Sequence, residues 1–547
     1  MDIKEMLERL GGSLAAGGKG LEALLAATAR AAAGPDGKLD GAVIDRHGAE
    51  MFRLAQNYAA WNAAREMERY AATGDLEGLL ALAFGGQVLA SLQEQLPAIA
   101  RHLPGGGGEV ARFARDGDTE AVIAAATGES FKGHLWEALK EYQSDGSDGL
   151  GEEHRLLKET FRAFADKKVR PLAERFHRED LLIPDDLIAE VSALGCFGVS
   201  IPQQYGGYQE KPDHLGVVVV TEELSRGALI FGSLITRPEI LAKGLLKGGT
   251  EAQKKKFLPL LASGEKMAAI SVTEPDFGSD VAGIATSARQ ADGGWRINGA
   301  KTFATFAGRA ELIGLLVRTE ADPALGHRGL SLFVVEKPAF YGHDFEHAPP
   351  GGGRLVGRSI ATAGYRGMHS YELSFEDYLV PAENLIGGEE GRGRGFYYQM
   401  EGFAGGRLQT SGRALGIMQA AYEHAKNYAR ERTVFGKPLE AYALTREKLT
   451  TMAATVQACR QTAYATARLM DAGQGRMEAS MTKFLLCREA EKVTREAQQL
   501  HGAMGYAEEF PLSRLFIDAR VLSIFEGTEE VLALKVIAPA LLKRYLD

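Results

Sequence analysis

The chain is poor in cysteine and in clustered positive charge. Its 547 residues include only three cysteines, Cys196, Cys459 and Cys487, which lie far apart with no Cys-x-x-Cys spacing. This excludes a disulfide framework and a cysteine-based zinc site, and the sequence predicts no bound metal. The formal net charge is −9 and the densest basic run is the lysine triplet 254–256. Nucleic acid and anionic membrane surfaces are therefore not expected partners.

The sequence also predicts neither a secretion signal nor a membrane-spanning apolar run. The first residues are typical of an amphipathic helix. No stretch of the sequence is expected to supply the ~20 apolar residues that a membrane span needs. The sequence therefore predicts a soluble, cytoplasmic protein. Since 45% of the residues are hydrophobic, the chain can bury more than one core, and its length allows three or four domains.

Changes in composition divide the chain into four segments. They are a helical N-terminal extension (1–150), an α domain (151–266), a β domain (267–385) and an α-helical bundle (386–547). Gly-rich stretches at 104–108 and 146–151 indicate flexible linkers. Helical periodicity dominates all segments except the third, where short β-rich runs alternate with Gly, Asp and Pro. The predicted fold is mainly α with a small central β domain.

Glu526 is the most informative single residue. It ends the apolar run 521–525 and is followed at once by Gly527 and Thr528. An apolar approach removes water from a carboxylate and can make it a general base, while a Gly-Thr turn exposes backbone N–H groups to an anion such as pyrophosphate. The alternative interpretation is a glutamate that caps the helix expected near Glu529.

Four motifs occur in a fixed order after residue 151. They are Val272-Thr273-Glu274-Pro275-Asp276-Phe277-Gly278-Ser279-Asp280, Asn298-Gly299-Ala300-Lys301, Arg432-Thr433-Val434-Phe435-Gly436 and Phe525-Glu526-Gly527-Thr528. With the segment 499–506 between the last two, this ordered set resembles the acyl-CoA dehydrogenases. The resemblance implies a fold of an α domain, a small β barrel and a four-helix bundle, and it leaves the first 150 residues unexplained.

The resemblance also implies a reaction. Acyl-CoA dehydrogenases use FAD to oxidise the Cα–Cβ bond of an acyl-CoA thioester, and Glu526 matches the carboxylate that removes the α-proton while the β-hydride passes to flavin N5. Some relatives carry the base just before the arginine that matches Arg407, but this chain has Gly406 there. The family further implies electron-transfer flavoprotein as the electron acceptor.

A flavin site follows from the resemblance, position by position. The matching positions are Val272, Thr273, Gly278, Ser279, Phe303, Thr305, Arg432, Phe435, Gln499, Gly502, Ala503, Gly527, Thr528 and Glu530. Ser279 is also expected to contact the CoA part of the substrate; otherwise it is a turn residue. Arg432 is expected to reach the FAD of a neighbouring subunit, which requires a homo-oligomer, a dimer or a tetramer; otherwise it is a surface arginine.

Three positions depart from the family pattern. Phe303 replaces a tryptophan that shields the flavin, which keeps the stacking surface but loses the indole N–H; it could instead be a core residue. Ala443 replaces a flavin-contacting glutamine, and Ala404 replaces an acidic residue that contacts CoA in relatives. Arg407 is retained as a substrate-binding residue, with a structural helix arginine as the alternative.

Arg237 indicates the type of acyl chain. It is predicted to end an apolar helix at about the level where the helices of the family wall the acyl pocket, and a buried cation needs an anionic partner. A carboxylate at the end of the acyl chain would provide it. Alternatively, Arg237 caps a helix before Pro238 or pairs with Glu239.

Three further features favour this dicarboxylyl substrate. The long extension and the segments 301–308 and 364–371 together resemble a branch of the family that acts on a short, methyl-branched dicarboxylyl-CoA. His369 could assist the carboxylate site or be a polar turn residue. The remaining alternatives are a dehydrogenase of short or branched monocarboxylic acyl-CoA, an acyl-CoA oxidase that reduces oxygen, and a non-catalytic flavin-bearing assembly factor.

Overall fold

The computed structural model describes residues 2–34, 36–105, 107–142 and 144–546. The chain divides into two compact units. Residues 1–151 and 417–547 form the first, here called the terminal unit, and residues 152–416 form the second, the internal unit. The fold is 63% helical with a central curled mixed sheet, which confirms the predicted fold class.

Helices make up most of the terminal unit. In the N-terminal extension they are α1 (Ile3–Ala31), α2 (Gly41–Arg46), α3 (Gly48–Tyr70), α4 (Asp75–Ala100), α5 (Gly107–Phe113), α6 (Gly117–Thr127) and α7 (Glu129–Glu141). In the C-terminal part they are α16 (Ala443–Asp471), α17 (Arg476–Leu500), α18 (Ala503–Tyr506), α19 (Leu512–Leu522), α20 (Glu529–Val531) and α21 (Ala538–Lys543). A two-stranded hairpin, β9 (Thr433–Val434) with β10 (Lys437–Pro438), precedes α16.

The extension packs directly on the C-terminal helices of the same unit. Phe52 of α3 meets Phe484 of α17 edge to face, with 5.3 Å between the ring centroids. Lys132 of α7 donates to Glu447 of α16 at 2.6 Å. The extension and the C-terminal helices therefore pack against one another within the terminal unit.

Helix α4 corrects one expectation from the sequence. Among the described residues it is long and apolar enough, by length and composition, to cross a membrane. However, 78% of its most apolar window is buried inside the protein. A single buried helix of this kind is weak support for a membrane span, because the core helix of a folded domain has the same composition.

The two Gly-rich stretches are not free linkers. The first is a turn between α4 and α5, although Gly106 lies outside the described residues. In the second, Tyr70 Oη donates to the Ser147 carbonyl at 2.7 Å, and Gln457 Nε2 donates to the Asp145 carbonyl at 2.5 Å. Segment 144–150 is thus an ordered strap, because its backbone groups find partners on both the extension and α16.

The internal unit begins with helices. They are α8 (Glu152–Phe164), α9 (Arg170–Arg178), α10 (Asp185–Ala193), α11 (His214–Gly227), α12 (Leu229–Leu234), α13 (Thr236–Gly248) and α14 (Glu251–Ala262). Helix α11 is buried along almost its whole length. Gly232 permits the close approach of α12 to α11, because a Cβ at this position would lie 1.8 Å from Ser225 Oγ. Helix α15 (Gly395–Glu431) closes this unit and continues into the terminal unit.

A mixed eight-stranded sheet forms the rest of the internal unit. Its strands are β1 (Ala268–Ser271), β2 (Ser287–Ala291), β3 (Gly294–Thr305), β4 (Leu312–Arg318), β5 (Leu330–Glu336), β6 (Asp344–His347), β7 (Arg354–Ile360) and β8 (Ser370–Pro381). The strand order is β1-β4-β2-β3-β8-β7-β6, and β5 pairs with β4. Strands β4 and β5 are buried on both faces, which explains their unbroken apolar sequences. The predicted strands at 312–317 and 330–335 are confirmed.

Candidate active site

Glu526 lies in a strained turn of the terminal unit. The turn follows α19, and its backbone is left-handed at two successive residues, Glu526 (φ +56°) and Gly527 (φ +100°). Lys483 Nζ donates to the Gly527 carbonyl at 2.6 Å and fixes the turn. A positive φ at glutamate costs free energy and persists only where the surrounding contacts enforce it.

The capping alternative for Glu526 does not match the structure. The side chain of Thr528 caps α20, with its Oγ1 accepting from the Val531 N–H at 3.3 Å. Glu526 is half-buried in the turn before this cap. A catalytic carboxylate therefore remains a consistent interpretation of its position.

The predicted adenosine-end residues of the terminal unit are largely exposed. Gln499 is in the last turn of α17, Gly502 (φ +58°) and Ala503 lie at the start of α18, and Glu530 is in α20. Arg432 immediately precedes β9 and is also exposed. The exposed side chains of Gln499, Glu530 and Arg432 are accessible to a ligand.

Phe435 is unusual for a large apolar residue. It sits at the tip of the β9–β10 hairpin with φ +47°, and it is 97% exposed. The ring therefore contributes almost nothing to the core of the terminal unit. That this segment reaches a cofactor or a neighbouring subunit stays a prediction, and the exposed ring is compatible with it.

The predicted flavin-facing loop lies in the internal unit. Val272 and Thr273 directly follow β1, and the Thr302 N–H donates to the Thr273 carbonyl at 2.9 Å. Gly278 and Ser279 lie further along the same loop and are exposed. A Cβ at Gly278 would contact only Thr273 Cγ2 at 3.9 Å, so the packing of the protein does not itself require glycine there.

Two residues that sequence reasoning did not assign a role hold this loop. Lys301 of β3 is fully buried, and its Nζ donates to the Val272 carbonyl at 2.9 Å and to Glu274 Oε1 at 2.8 Å. The Glu274 carboxylate also accepts from the N–H groups of Ala285 (2.7 Å) and Thr286 (2.9 Å). Both residues stand inside recognised motifs, but the sequence contains no signal that they pair.

The charges of this pair are strongly perturbed. Burial lowers the pKa of Lys301 to about 8, an effect that Glu274 only partly offsets. Burial by itself would raise the pKa of Glu274, but the Lys301 charge and the backbone donors lower it below its usual range. Near neutral pH both groups are therefore charged, and the ion pair fixes the loop that starts at Val272.

A bulge in β3 determines the direction of Phe303. The register between β3 and β8 shifts between Lys301 and Ala304, and Phe303 adopts φ +53° with 59% of its surface exposed. Thr305, two residues later, is buried, and its hydroxyl lies 3.0 Å from the Ser370 hydroxyl. Phe303 is thus not a core residue, and the alternative interpretation of this position was wrong.

The predicted substrate residues Arg237 and Arg407 occupy different helices. The prediction that Arg237 ends a helix was wrong: α12 ends at Leu234, and Arg237 is in the first turn of α13, where it is 7% exposed. Its Nη1 donates to the Ser233 carbonyl at 3.3 Å, and its guanidinium lies 5.6 Å from the centroid of the Tyr365 ring. Arg407 is half-buried in α15.

The structure tests the two alternatives for Arg237. The bond to Ser233 is a helix cap, because this carbonyl belongs to the last turn of α12. The pairing with Glu239 was wrong: within the described part of the chain, no carboxylate forms an ion pair with Arg237. The cap therefore accounts for one donor of the guanidinium and leaves its charge uncompensated by a carboxylate.

Comparisons with known proteins match most of the chain after residue 150 to one family. Three domains described for the acyl-CoA dehydrogenase family match the chain: the N-terminal domain at residues 151–265, the middle domain at 269–378 and the C-terminal domain at 393–542. The chain is 42% identical over 398 residues to (2S)-methylsuccinyl-CoA dehydrogenase of Cereibacter sphaeroides, covering 73% of this chain and 71% of that protein.

Solved structures give the same result. Butyryl-CoA dehydrogenase from Megasphaera elsdenii is similar with a TM-score of 0.66 and 31% identity, covering 72% of this chain and 99% of that one. A glutaryl-CoA dehydrogenase from Mycobacterium smegmatis in complex with FADH2 has a TM-score of 0.64 and 26% identity, covering 72% and 95%. The chain belongs to the acyl-CoA dehydrogenase family.

Family membership makes the protein an oxidoreductase of acyl-CoA thioesters that uses a flavin cofactor. The residues present fit such a cofactor. Phe303 offers an exposed aromatic face, the loop after β1 is held by a buried ion pair, and Gly278 leaves room for close approach. Residues 1–150 lie outside the matching family domains.

Proposed function

We propose that this protein oxidises (2S)-methylsuccinyl-CoA to mesaconyl-CoA, a step of the ethylmalonyl-CoA pathway. The observation that carries the proposal is Arg237, a buried guanidinium without a carboxylate partner in the described part of the internal unit. The 42% identity to a protein that acts on this thioester supports the same substrate.

Glu526 is the proposed catalytic base. Removal of the α-proton of a thioester requires a carboxylate that is positioned and partly removed from water, because the α-C–H group is a weak acid. The left-handed turn at Glu526 and Gly527 holds the side chain in place, and Lys483 prevents the turn from relaxing. Glu526 would take the proton from the α-carbon while the β-hydrogen leaves as hydride.

Val272, Thr273, Phe303 and Thr305 are the proposed contacts to the flavin ring of FAD, with Arg432 and Gln499 toward the rest of the cofactor. When bound, FAD would accept the hydride and later pass the electrons to electron-transfer flavoprotein. The buried Lys301–Glu274 pair would keep the backbone of the loop in the conformation that receives the ring.

Arg237 is the proposed partner of the distal carboxylate. Burial of a charge is costly unless an opposite charge compensates it, and the first turn of a helix adds a further unfavourable positive potential. The Tyr365 ring provides a weakly attractive face but no charge. A substrate carboxylate would supply the missing anion, and a bidentate guanidinium pair would select it over a methyl group.

Anaerobic bleaching of the flavin by two thioesters tests this role. We expect R237M to lose at least ~30-fold in the bleaching rate with methylsuccinyl-CoA, since loss of a buried ionic contact costs roughly 2 kcal/mol or more. Bleaching by butyryl-CoA, which lacks the carboxylate, should change little. R237K should retain part of the activity, and R289M, which removes an exposed arginine of β2, should behave as the wild type. An equal loss with both thioesters would contradict a carboxylate contact.

One observation favours a second candidate, an acyl-CoA oxidase. Phe303 is more open than a core aromatic residue and is smaller than the tryptophan of relatives, which would ease the access of oxygen to a reduced flavin. Oxygen consumption and hydrogen peroxide release without any electron carrier would distinguish an oxidase. We expect both to be slow beside the rate with electron-transfer flavoprotein.

A further inference from the structure

Three side chains that can ligate a metal meet at one corner of the internal unit. Asp180 is in the turn after α9, His343 directly precedes β6, and His369 directly precedes β8. Their ligand atoms all lie within 4.8 Å of one another. The distance between His369 Nε2 and Asp180 Oδ1 is 3.1 Å, and the His343 and His369 rings meet edge to face at 5.0 Å between centroids.

The His369 ring is buried without a well-formed hydrogen bond at either nitrogen, although its Nε2 lies close to Asp180. It is only 6% exposed, yet neither ring nitrogen makes a hydrogen bond of acceptable geometry to any described residue, in spite of the proximity of Asp180. Buried polar atoms in proteins are almost always bonded, so an orphaned imidazole indicates a missing ligand.

The other two residues are oriented toward the same point. His343 Nδ1 lies 3.1 Å from Ser359 Oγ of β7, and this contact leaves Nε2 available. Metal-bound histidines commonly have such an outer hydrogen bond, which sets the direction of the ring. Asp180 (φ +53°) and His369 (φ +40°) both adopt the left-handed conformation that non-glycine residues avoid.

We propose that Asp180, His343 and His369 bind one divalent transition-metal ion, with Zn²⁺ as the best match. Two imidazoles and one carboxylate suit a borderline ion, whereas Mg²⁺ and Ca²⁺ prefer sites made of oxygen ligands. Three protein ligands leave a fourth position for water.

The site adjoins the segment that carries Thr305. The Phe306 N–H donates to the carbonyls of Met368 (3.1 Å) and His369 (2.8 Å), and Ser370 lies beside Thr305. A bound ion would fasten the turn after α9 and the starts of β6 and β8 to one another. It would therefore act as a staple for the corner that supports this part of β3.

Metal binding to the full-length, flavin-loaded protein tests the proposal. After treatment with a chelator, Zn²⁺ titration should give one ion per chain by elemental analysis and a rise in Tm, because a ligand that binds the folded state stabilises it. Co²⁺ should add d–d absorption typical of a four-coordinate site, to the red of the flavin bands.

Substitutions identify the ligands. H343Q removes an exposed side chain and should fold normally, and it should lower Zn²⁺ affinity at least ~10-fold, as should H369N and D180N. H347Q is the matched control, because His347 lies on β6 but contacts Tyr378 and is not part of the cluster. Absence of stoichiometric binding to the wild type, or unchanged affinity in H343Q, would overturn the proposal.

Discussion

At Glu526 the backbone adopts a conformation that glutamate rarely takes. The left-handed φ persists because the next residue is glycine, because Lys483 binds the Gly527 carbonyl, and because Thr528 starts the following helix. These three neighbours thus stabilise a backbone conformation that is unfavourable for glutamate by itself. This arrangement is consistent with a positioned base and not with a surface cap.

Replacement of the carboxylate by an amide should separate catalysis from cofactor binding. We expect E526Q to retain its flavin absorbance and its Tm, since glutamine has nearly the same shape, but to lose anaerobic bleaching by at least ~1,000-fold, because an amide cannot accept the α-proton. Stopped-flow absorbance measures the rate. Bleaching near the wild-type rate would rule out Glu526 as the base.

The Lys301–Glu274 pair should be essential for the stability of the β domain. K301M leaves the Glu274 charge buried without its counter-ion, and breaking such a pair costs about 3–5 kcal/mol. We expect a lower Tm and weaker retention of flavin. K254M, which removes a lysine paired with Glu251 at the surface, should cost well under ~1 kcal/mol. Similar losses in both variants would contradict a special role for the buried pair.

The pH dependence of unfolding offers an independent test of Lys301. Its pKa is lowered from 10.5 to about 8 in the folded protein. Between these values the unfolded chain binds more protons than the folded one, so the unfolding free energy rises with pH through this window. Denaturant unfolding at about pH 7.5 and about pH 9.5 should show a smaller rise in K301M than in the wild type.

In β3 the sequence pattern predicted the strand but not the bulge within it. The residues Trp295, Arg296 and Ile297 indicated a strand, and β3 contains them. The bulge that turns Phe303 outward depends on the pairing with β8, whose residues lie more than sixty positions away. Bulges are common where a strand must redirect a side chain toward a site.

The β9–β10 hairpin carries Phe435, the most exposed large apolar side chain among the described residues. We expect F435S to leave the Tm of the isolated chain within ~2 °C, because Phe435 contributes almost nothing to the core. We expect the cofactor or a neighbouring subunit to cover the ring. The same variant should therefore retain less flavin, and its oligomer should dissociate at a higher protein concentration than the wild-type oligomer.

Light scattering and the flavin-to-protein absorbance ratio measure these effects. L156S removes an exposed leucine of α8 and provides the control. If F435S and L156S assemble equally well and retain equal flavin, the hairpin has no role in either process.

In the whole molecule, the extension and the C-terminal helices form one unit, and the strap at 144–150 joins them. Asp145 accepts from Lys426 at 2.7 Å and from the buried Tyr422 hydroxyl at 3.0 Å. We expect D145A to cost about 1–3 kcal/mol, because both donors lose their acceptor. The Tm should fall, and limited proteolysis should become faster within residues 1–150.

Glu141 provides the matched control for the strap. It is exposed at the end of α7, four positions before Asp145, so E141A should leave both the Tm and the proteolysis pattern unchanged. An unaltered cleavage rate in D145A would mean that the apolar contacts between the extension and α16 are sufficient to hold it.

Local composition was least reliable where tertiary contacts decide the outcome. Gly-rich composition predicted flexibility at 146–151, but distant donors order this segment. The apolar sequence of α4 meets the criteria of a membrane span, and only its burial among other helices explains it. In both cases the deciding partners are far away along the chain.

The sequence by itself determined the fold class, the family and the order of the motifs, because apolar periodicity and short local patterns are properties of neighbouring residues. It also indicated Glu526 and Arg237. Only the tertiary structure decided that Lys301 pairs with Glu274, that Arg237 lacks a carboxylate partner in the described chain, and that Asp180, His343 and His369 converge. These are contacts between side chains distant in sequence, and burial and charge at such contacts exist only after the chain has folded.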